Sequence, residues 1–80
     1  KTLISMLLGL IVDFKEMQEL EYLLKREMDE LLFDFEDSRI DNVVKKAMEE
    51  RYQILFNLYR RIASPVDCAK YMRQKKEYYP

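Results

Sequence analysis

Several residue types are absent or scarce in this 80-residue sequence, which has no His, no Trp, one Gly, two Pro and one Cys. One Gly and two Pro cannot supply the series of tight turns that a β-rich fold needs, so we expect an all-α chain. The single Cys68 excludes an internal disulfide and a cysteine-based zinc site, and the lack of His removes the commonest metal ligand and proton shuttle. We therefore expect no enzyme activity, no catalytic residues, no metal site, no cofactor and no small-molecule substrate.

The composition is that of a folded chain. Hydrophobic residues make up 49% and charged residues 36%, with a net charge of −1, which is far from the composition of disordered segments. The length allows one domain, residues 1–80, with a thin core, because a chain of this size buries only about 60–65% of its unfolded surface. Because the sequence starts at Lys1 and not at Met, we expect a fragment or a processed product. We also expect a cytoplasmic location.

The run from Thr2 to Val12 carries no charge and raises the question of a membrane segment. Eleven residues fall well short of the roughly 20 that a bilayer-spanning helix needs. A signal peptide is also disfavoured, because Asp13, Phe14 and Lys15 follow where small residues should mark a cleavage site. We therefore expect this run to pack in a core or an interface, and we do not expect membrane binding.

Apolar residues with alternating spacings of four and three dominate the first half of the chain and are typical of a coiled-coil seam. They are Leu3, Leu7, Leu10, Phe14, Met17, Leu24, Met28, Leu31 and Phe35, and the pattern is interrupted once, where Glu21 occupies the expected position. This pattern predicts one long helix over about 3–35. A competing start exists at Phe14, because Asp13 and Glu16 match a capping box. We favour the continuous helix, since the lone Gly9 within it costs only about 1 kcal/mol.

Two further helices follow. Asp37 or Ser38 could cap a second helix over about 39–63, which has a broad apolar face. That face comprises Ile40, Val43, Val44, Ala47, Met48, Tyr52, Leu55, Leu58, Tyr59 and Ile62. Ser64 and Pro65 then mark the start of a short third helix over about 65–75, with Asp67 completing a capping box and a frayed tail over 76–80.

These elements predict a long antiparallel helical hairpin with a short third helix. Two helices cannot cover every apolar side chain near the start of the chain, so we expect a homodimer with a four-helix-type bundle, or docking on a helical protein partner. The expected interface residues are Leu3, Leu7, Leu10, Ile11, Phe14 and Met17. The predicted function is a non-enzymatic protein–protein interaction or oligomerisation module in a regulatory or adaptor role.

Charge is unevenly distributed along the chain. Residues 1–37 contain four basic and ten acidic side chains, and residues 38–80 contain ten basic and five acidic ones, which favours pairing between the two helices. The C-terminal end combines basic and aromatic residues and could dock an acidic partner through Arg60, Arg61, Lys70, Arg73, Lys75 and Lys76. The alternative function is a small nucleic-acid-associated regulator that uses this basic end.

Overall fold

The computed structural model describes residues 6–73 and contains three helices, α1 (Phe14–Phe35), α2 (Asn42–Tyr59) and α3 (Pro65–Ala69). No strand occurs within these residues, so the all-α prediction is confirmed. The first two helices pack against each other, and Cys68 of α3 packs against the same core. None of the helices in the described part is both long enough and apolar enough to cross a bilayer.

The first helix starts at Phe14, so the predicted continuous helix over 3–35 is wrong and the competing start is correct. Asp13 is the N-cap, with its Oδ1 accepting a hydrogen bond from the Glu16 amide at 2.8 Å. The Glu16 side chain accepts a bond from the Asp13 amide at 2.9 Å, which completes the capping box. These reciprocal bonds satisfy amides that a continuous helix would have used internally, and residues 6–13 are not helical.

The lengths of the two long helices explain why the apolar spacing before Phe14 does not extend the helix. At 1.5 Å per residue, α1 is about 33 Å long and α2 about 27 Å long. A continuous helix over residues 3–35 would therefore be almost twice as long as α2, and the core includes no side chain of residues 6–13. Burial of an apolar face is what stabilises most helices in proteins, and this face lacks it.

The second helix is shorter at both ends than the predicted range 39–63. Asp37 does not act as its cap, because its carboxylate accepts bonds from the Arg39 amide at 2.9 Å and from the Arg39 guanidinium at 2.9 and 3.0 Å. This contact lowers the pKa of Asp37 and fixes a turn. The helix begins only after Asp41, whose side chain makes no capping bond, and it ends at Tyr59.

The third helix starts where the sequence predicts, at Pro65 after the N-cap Ser64, but it ends at Ala69. The predicted extension to residue 75 is wrong up to Arg73, and its last two residues lie outside the described part. The reason is tertiary: the Tyr71 carbonyl accepts a hydrogen bond from the Tyr52 hydroxyl at 2.6 Å. The chain after Ala69 therefore packs across α2 instead of continuing as a helix.

Ser64→Ala is expected to destabilise α3 by about 0.5–2 kcal/mol, because the Ser64 hydroxyl accepts the Asp67 amide at 3.2 Å. The matched control Pro65→Ala should have a smaller effect, since Pro at the first helical position lacks only an amide hydrogen that has no intrahelical partner. Hydrogen exchange of the amides over 66–69 measures the difference. Equal exchange rates in the two variants would contradict the capping role.

The core lies between α1 and α2. Its buried members are Leu24, Met28, Leu31, Phe35, Tyr52 and Tyr59. The first four are the C-terminal half of the predicted apolar seam, which is thereby confirmed for this half of the helix. Around them, partly buried side chains from both long helices and from the chain that follows complete the packing: Leu32, Met48, Leu55, Phe56, Ile62, Ala63, Cys68 and Tyr71.

Candidate interaction surfaces

Residues 6–14, here called the apolar segment, expose a run of large apolar side chains. Its large apolar side chains are between 72% and 98% exposed: Met6, Leu7, Leu8, Leu10, Ile11 and Phe14. Residues 6–13 are not helical, so these side chains do not form a single helical stripe. An apolar surface of this kind marks a site of contact with another molecule more often than a free surface.

Most residues of the predicted interface lie in this segment. Leu7, Leu10, Ile11 and Phe14 are exposed, and Met17, within α1, is half-buried. Leu3 lies outside the described residues. These four exposed residues are therefore accessible to a partner. Leu7, Leu10 and Ile11 lie on a non-helical chain, whereas the sequence predicted them on the seam of a long helix.

Four of the six basic residues predicted to form a docking surface lie within the described residues. Arg60 and Arg61 are exposed at the end of α2, and Lys70 forms an exposed ion pair with Asp67 at 3.7 Å. Arg73 is mostly buried and is bound by Glu49, so it does not contribute a free charge as the sequence suggested. Lys75 and Lys76 lie outside the described residues.

The environment of Arg73 explains this placement. Its Nη2 and Nε donate to the Glu49 carboxylate at 3.0–3.3 Å, and its guanidinium carbon lies 4.0 Å from the centre of the Phe35 ring. Gln53 also donates to Glu49, at 3.3 Å. An Arg fork suits both a carboxylate and an aromatic face, and pairing is required for charges this deeply buried. Arg73 thus holds the C-terminal end of the described chain onto both long helices.

Two fully buried tyrosines differ in how their hydroxyl groups are satisfied. Tyr52 donates to the Tyr71 carbonyl at 2.6 Å. The Tyr59 hydroxyl has no hydrogen-bond partner among the described residues. Its ring packs edge-on against Tyr71, with the ring centres 5.5 Å apart. The Tyr59 ring therefore contributes packing, while its hydroxyl lowers stability because it is buried without a partner.

This contrast gives a matched pair of variants. Tyr52→Phe is expected to lower the free energy of unfolding by about 0.5–1.5 kcal/mol, because the Tyr71 carbonyl loses its donor. Tyr59→Phe should leave stability unchanged or raise it, because it removes a buried hydroxyl that makes no hydrogen bond to any described residue. Urea unfolding of both variants measures the two effects. Equal losses of stability would contradict the assignment.

Stability should also fall at high pH. Burial raises the pKa of both Tyr52 and Tyr71 to about 12, and a hydrogen bond to Asp29 adds to the effect for Tyr71. In the unfolded chain these hydroxyls ionise near pH 10.0. Their contribution to stability is therefore complete below pH 10.0 and is lost as the pH rises through about 12. Urea unfolding across this range should show the decline, Tyr52→Phe should reduce it, and a flat profile would contradict it.

A groove lies between the end of α2 and α3, with a volume of about 430 Å³. Its lining is apolar except for Arg60: the other members are Phe56, Ala63, Pro65, Cys68, Ala69 and Met72. The volume falls within the range of about 300–1,000 Å³ that is typical of ligand pockets. Sequence reasoning missed this groove, because it forms only when the turn over 60–64 brings α3 beside α2.

The broad apolar face predicted for the second helix is only partly buried. Tyr52 and Tyr59 are in the core, whereas Val43, Val44 and Leu58 are exposed. Ile54 is also exposed. It lies eleven residues after Val43 and four residues before Leu58, and in an α-helix both separations place side chains on nearly the same face. One partner helix covers only part of such a wide face, which leaves a second, smaller apolar stripe on α2.

The described residues contain no group of three or more acidic or cysteine side chains arranged to hold a metal ion. Comparisons with protein-family models, with curated proteins and with solved structures found no match.

Proposed function

We propose that this chain is a non-enzymatic helical interaction module that self-associates through its apolar segment. The observation that carries the proposal is the exposure of this segment, where Leu7 is 96% and Ile11 98% exposed. At about 25 cal/mol per Å² of apolar surface, removing such side chains from water is strongly favourable. Association with a second copy removes them from water without any further component.

The organisation of the hairpin supports the same proposal. The core of α1, α2 and α3 is built from Leu24 onwards and does not use residues 6–13. Asp13 and Glu16 stop the helix at the border of the segment. A segment that the monomer does not need for its core is available for binding, and oligomerisation is a common way for a small domain to add buried surface.

The alternative of a nucleic-acid-associated regulator receives less support. Of its six basic residues, Arg73 is bound to Glu49 and Lys70 is paired with Asp67. Arg60 lies 5.8 Å from the Phe56 ring centre, at the edge of the groove. A surface that binds the phosphate backbone of a nucleic acid needs several free cations on one face.

We also propose a cytoplasmic location for the chain. Cys68 is a free thiol, and cytosolic proteins keep their thiols reduced.

Sedimentation equilibrium of the full chain over a series of micromolar concentrations tests the proposal. We expect the mass to rise from that of the 9.8 kDa chain to that of a dimer as concentration increases. A monomer at every concentration, with no binding of a hydrophobic dye, would contradict it.

Raising the salt concentration should weaken this association little, because salt screens charges but not apolar contacts.

A further inference from the structure

We propose that the apolar segment of one copy binds in the groove between α2 and α3 of a second copy, and that the exchange is mutual. This inference depends on the proposed self-association and identifies the surface that receives the segment. The two surfaces share one chemistry. Residues 6–12 carry no charge, and the groove is lined by apolar side chains except for Arg60.

The charges around the two surfaces are complementary. The segment leads into the acidic start of α1, with Asp13, Glu16 and Glu19 against a single Lys15. The groove opens beside the basic end of α2, where Arg60 and Arg61 are both exposed. When the segment occupies the groove, these opposite charges come close to each other at its edge. Such charges set the orientation of a partner and its rate of encounter more than its affinity.

The geometry favours a second copy as the occupant. The side chains of Leu7 and Ile11 are almost fully exposed, so the segment does not fill the groove of its own chain. Eight non-helical residues, 6–13, span up to about 28 Å, which is long enough to leave one hairpin and reach another. In a mutual exchange, each copy inserts its segment into the groove of the other copy. No segment and no groove is left unoccupied, so the assembly is closed as a symmetric dimer.

The native thiol of Cys68 gives a direct test, because it lines the groove and is the only cysteine in the chain. Cysteine is introduced by three separate variants: Leu7→Cys, Leu10→Cys and Ile11→Cys. Under mild oxidation, at least one should form a disulfide to Cys68 of a second chain, because a disulfide requires Cα atoms about 4.4–6.8 Å apart. Peptide mapping identifies the bond, and Ser38→Cys, at an exposed position in the α1–α2 turn, is the control.

A second measurement does not depend on disulfide geometry. Ala69→Glu places a charge on the groove wall at an exposed position of α3, whereas Val66→Glu places it on α3 outside the groove. Ala69→Glu should weaken dimerisation about tenfold or more, because the charge must be desolvated when the segment binds. Val66→Glu should leave dimerisation unchanged. Circular dichroism confirms that both variants fold.

The outcomes separate this inference from the proposed function. A disulfide to Cys68 between chains, together with weaker dimers for Ala69→Glu alone, supports the exchange. A dimer that gives no such disulfide and responds equally to both Glu variants overturns the exchange but leaves self-association in place. A disulfide to Cys68 within one chain overturns the second copy as occupant. A wild-type chain that stays monomeric overturns both proposals.

Discussion

Glu49→Ala is expected to destabilise the folded chain by about 3–5 kcal/mol, because it leaves the Arg73 cation buried without its carboxylate. The side chains of both residues are at most 15% exposed, and three hydrogen bonds of 3.0–3.3 Å join them. Gln53 loses its acceptor in the same variant. Urea unfolding measures the loss, and we expect it to rank among the largest for any single polar substitution.

Two controls accompany this variant. Glu50→Ala removes the neighbouring, exposed carboxylate and should change stability by no more than about 0.5 kcal/mol. The double variant Glu49→Ala with Arg73→Ala should lose less stability than the sum of the two single variants, because either single variant alone already removes every bond between the two side chains. Additive losses would show that the two side chains do not act as a pair.

Leu7→Glu combined with Leu10→Glu is expected to dissociate the self-associated species. Each Leu that becomes buried contributes about 1.5–3 kcal/mol, so the dimer should weaken by more than about 100-fold. The stability of the monomer should not change, because both side chains are exposed within a single chain. Sedimentation measures the first effect and urea unfolding at low protein concentration measures the second.

The matched control is Phe33→Glu, which replaces another exposed apolar side chain at the opposite end of α1. It should leave the dimer unchanged, because Phe33 is remote from the apolar segment in sequence and on the helix. Dissociation by Phe33→Glu to the same degree would show that association depends on general surface hydrophobicity.

The spacing of apolar residues predicted the part of α1 that has a partner helix. Leu24, Met28, Leu31 and Phe35 are buried as expected, because α2 runs beside them. The same spacing failed before Phe14, where no helix of the described chain covers the apolar side chains and a local capping box ends the helix. The spacing of apolar residues thus shows which side chains a helix could bury. The length of the partner helix determines which of these side chains are buried.

The role of Arg73 could not be read from composition. It lies in a basic stretch, and its partner Glu49 is 24 residues away on α2, next to an exposed carboxylate of the same type. Local charge counts treat all of these residues as solvated. Only the turn after α3 brings Arg73 onto Phe35 and Glu49, and that turn depends on tertiary contacts such as the bond from Tyr52 to Tyr71.

Side-chain labelling of the chain as a function of concentration measures whether the apolar segment becomes buried when the chain associates. Leu7 and Ile11 are at least 96% exposed in a single chain, so hydroxyl radicals should label them readily at low concentration. As the mass rises to that of a dimer, labelling of the apolar segment should fall several-fold, while labelling of Phe33, which is 80% exposed, stays constant. A dimer whose apolar segment is labelled as strongly as in the monomer would contradict the account.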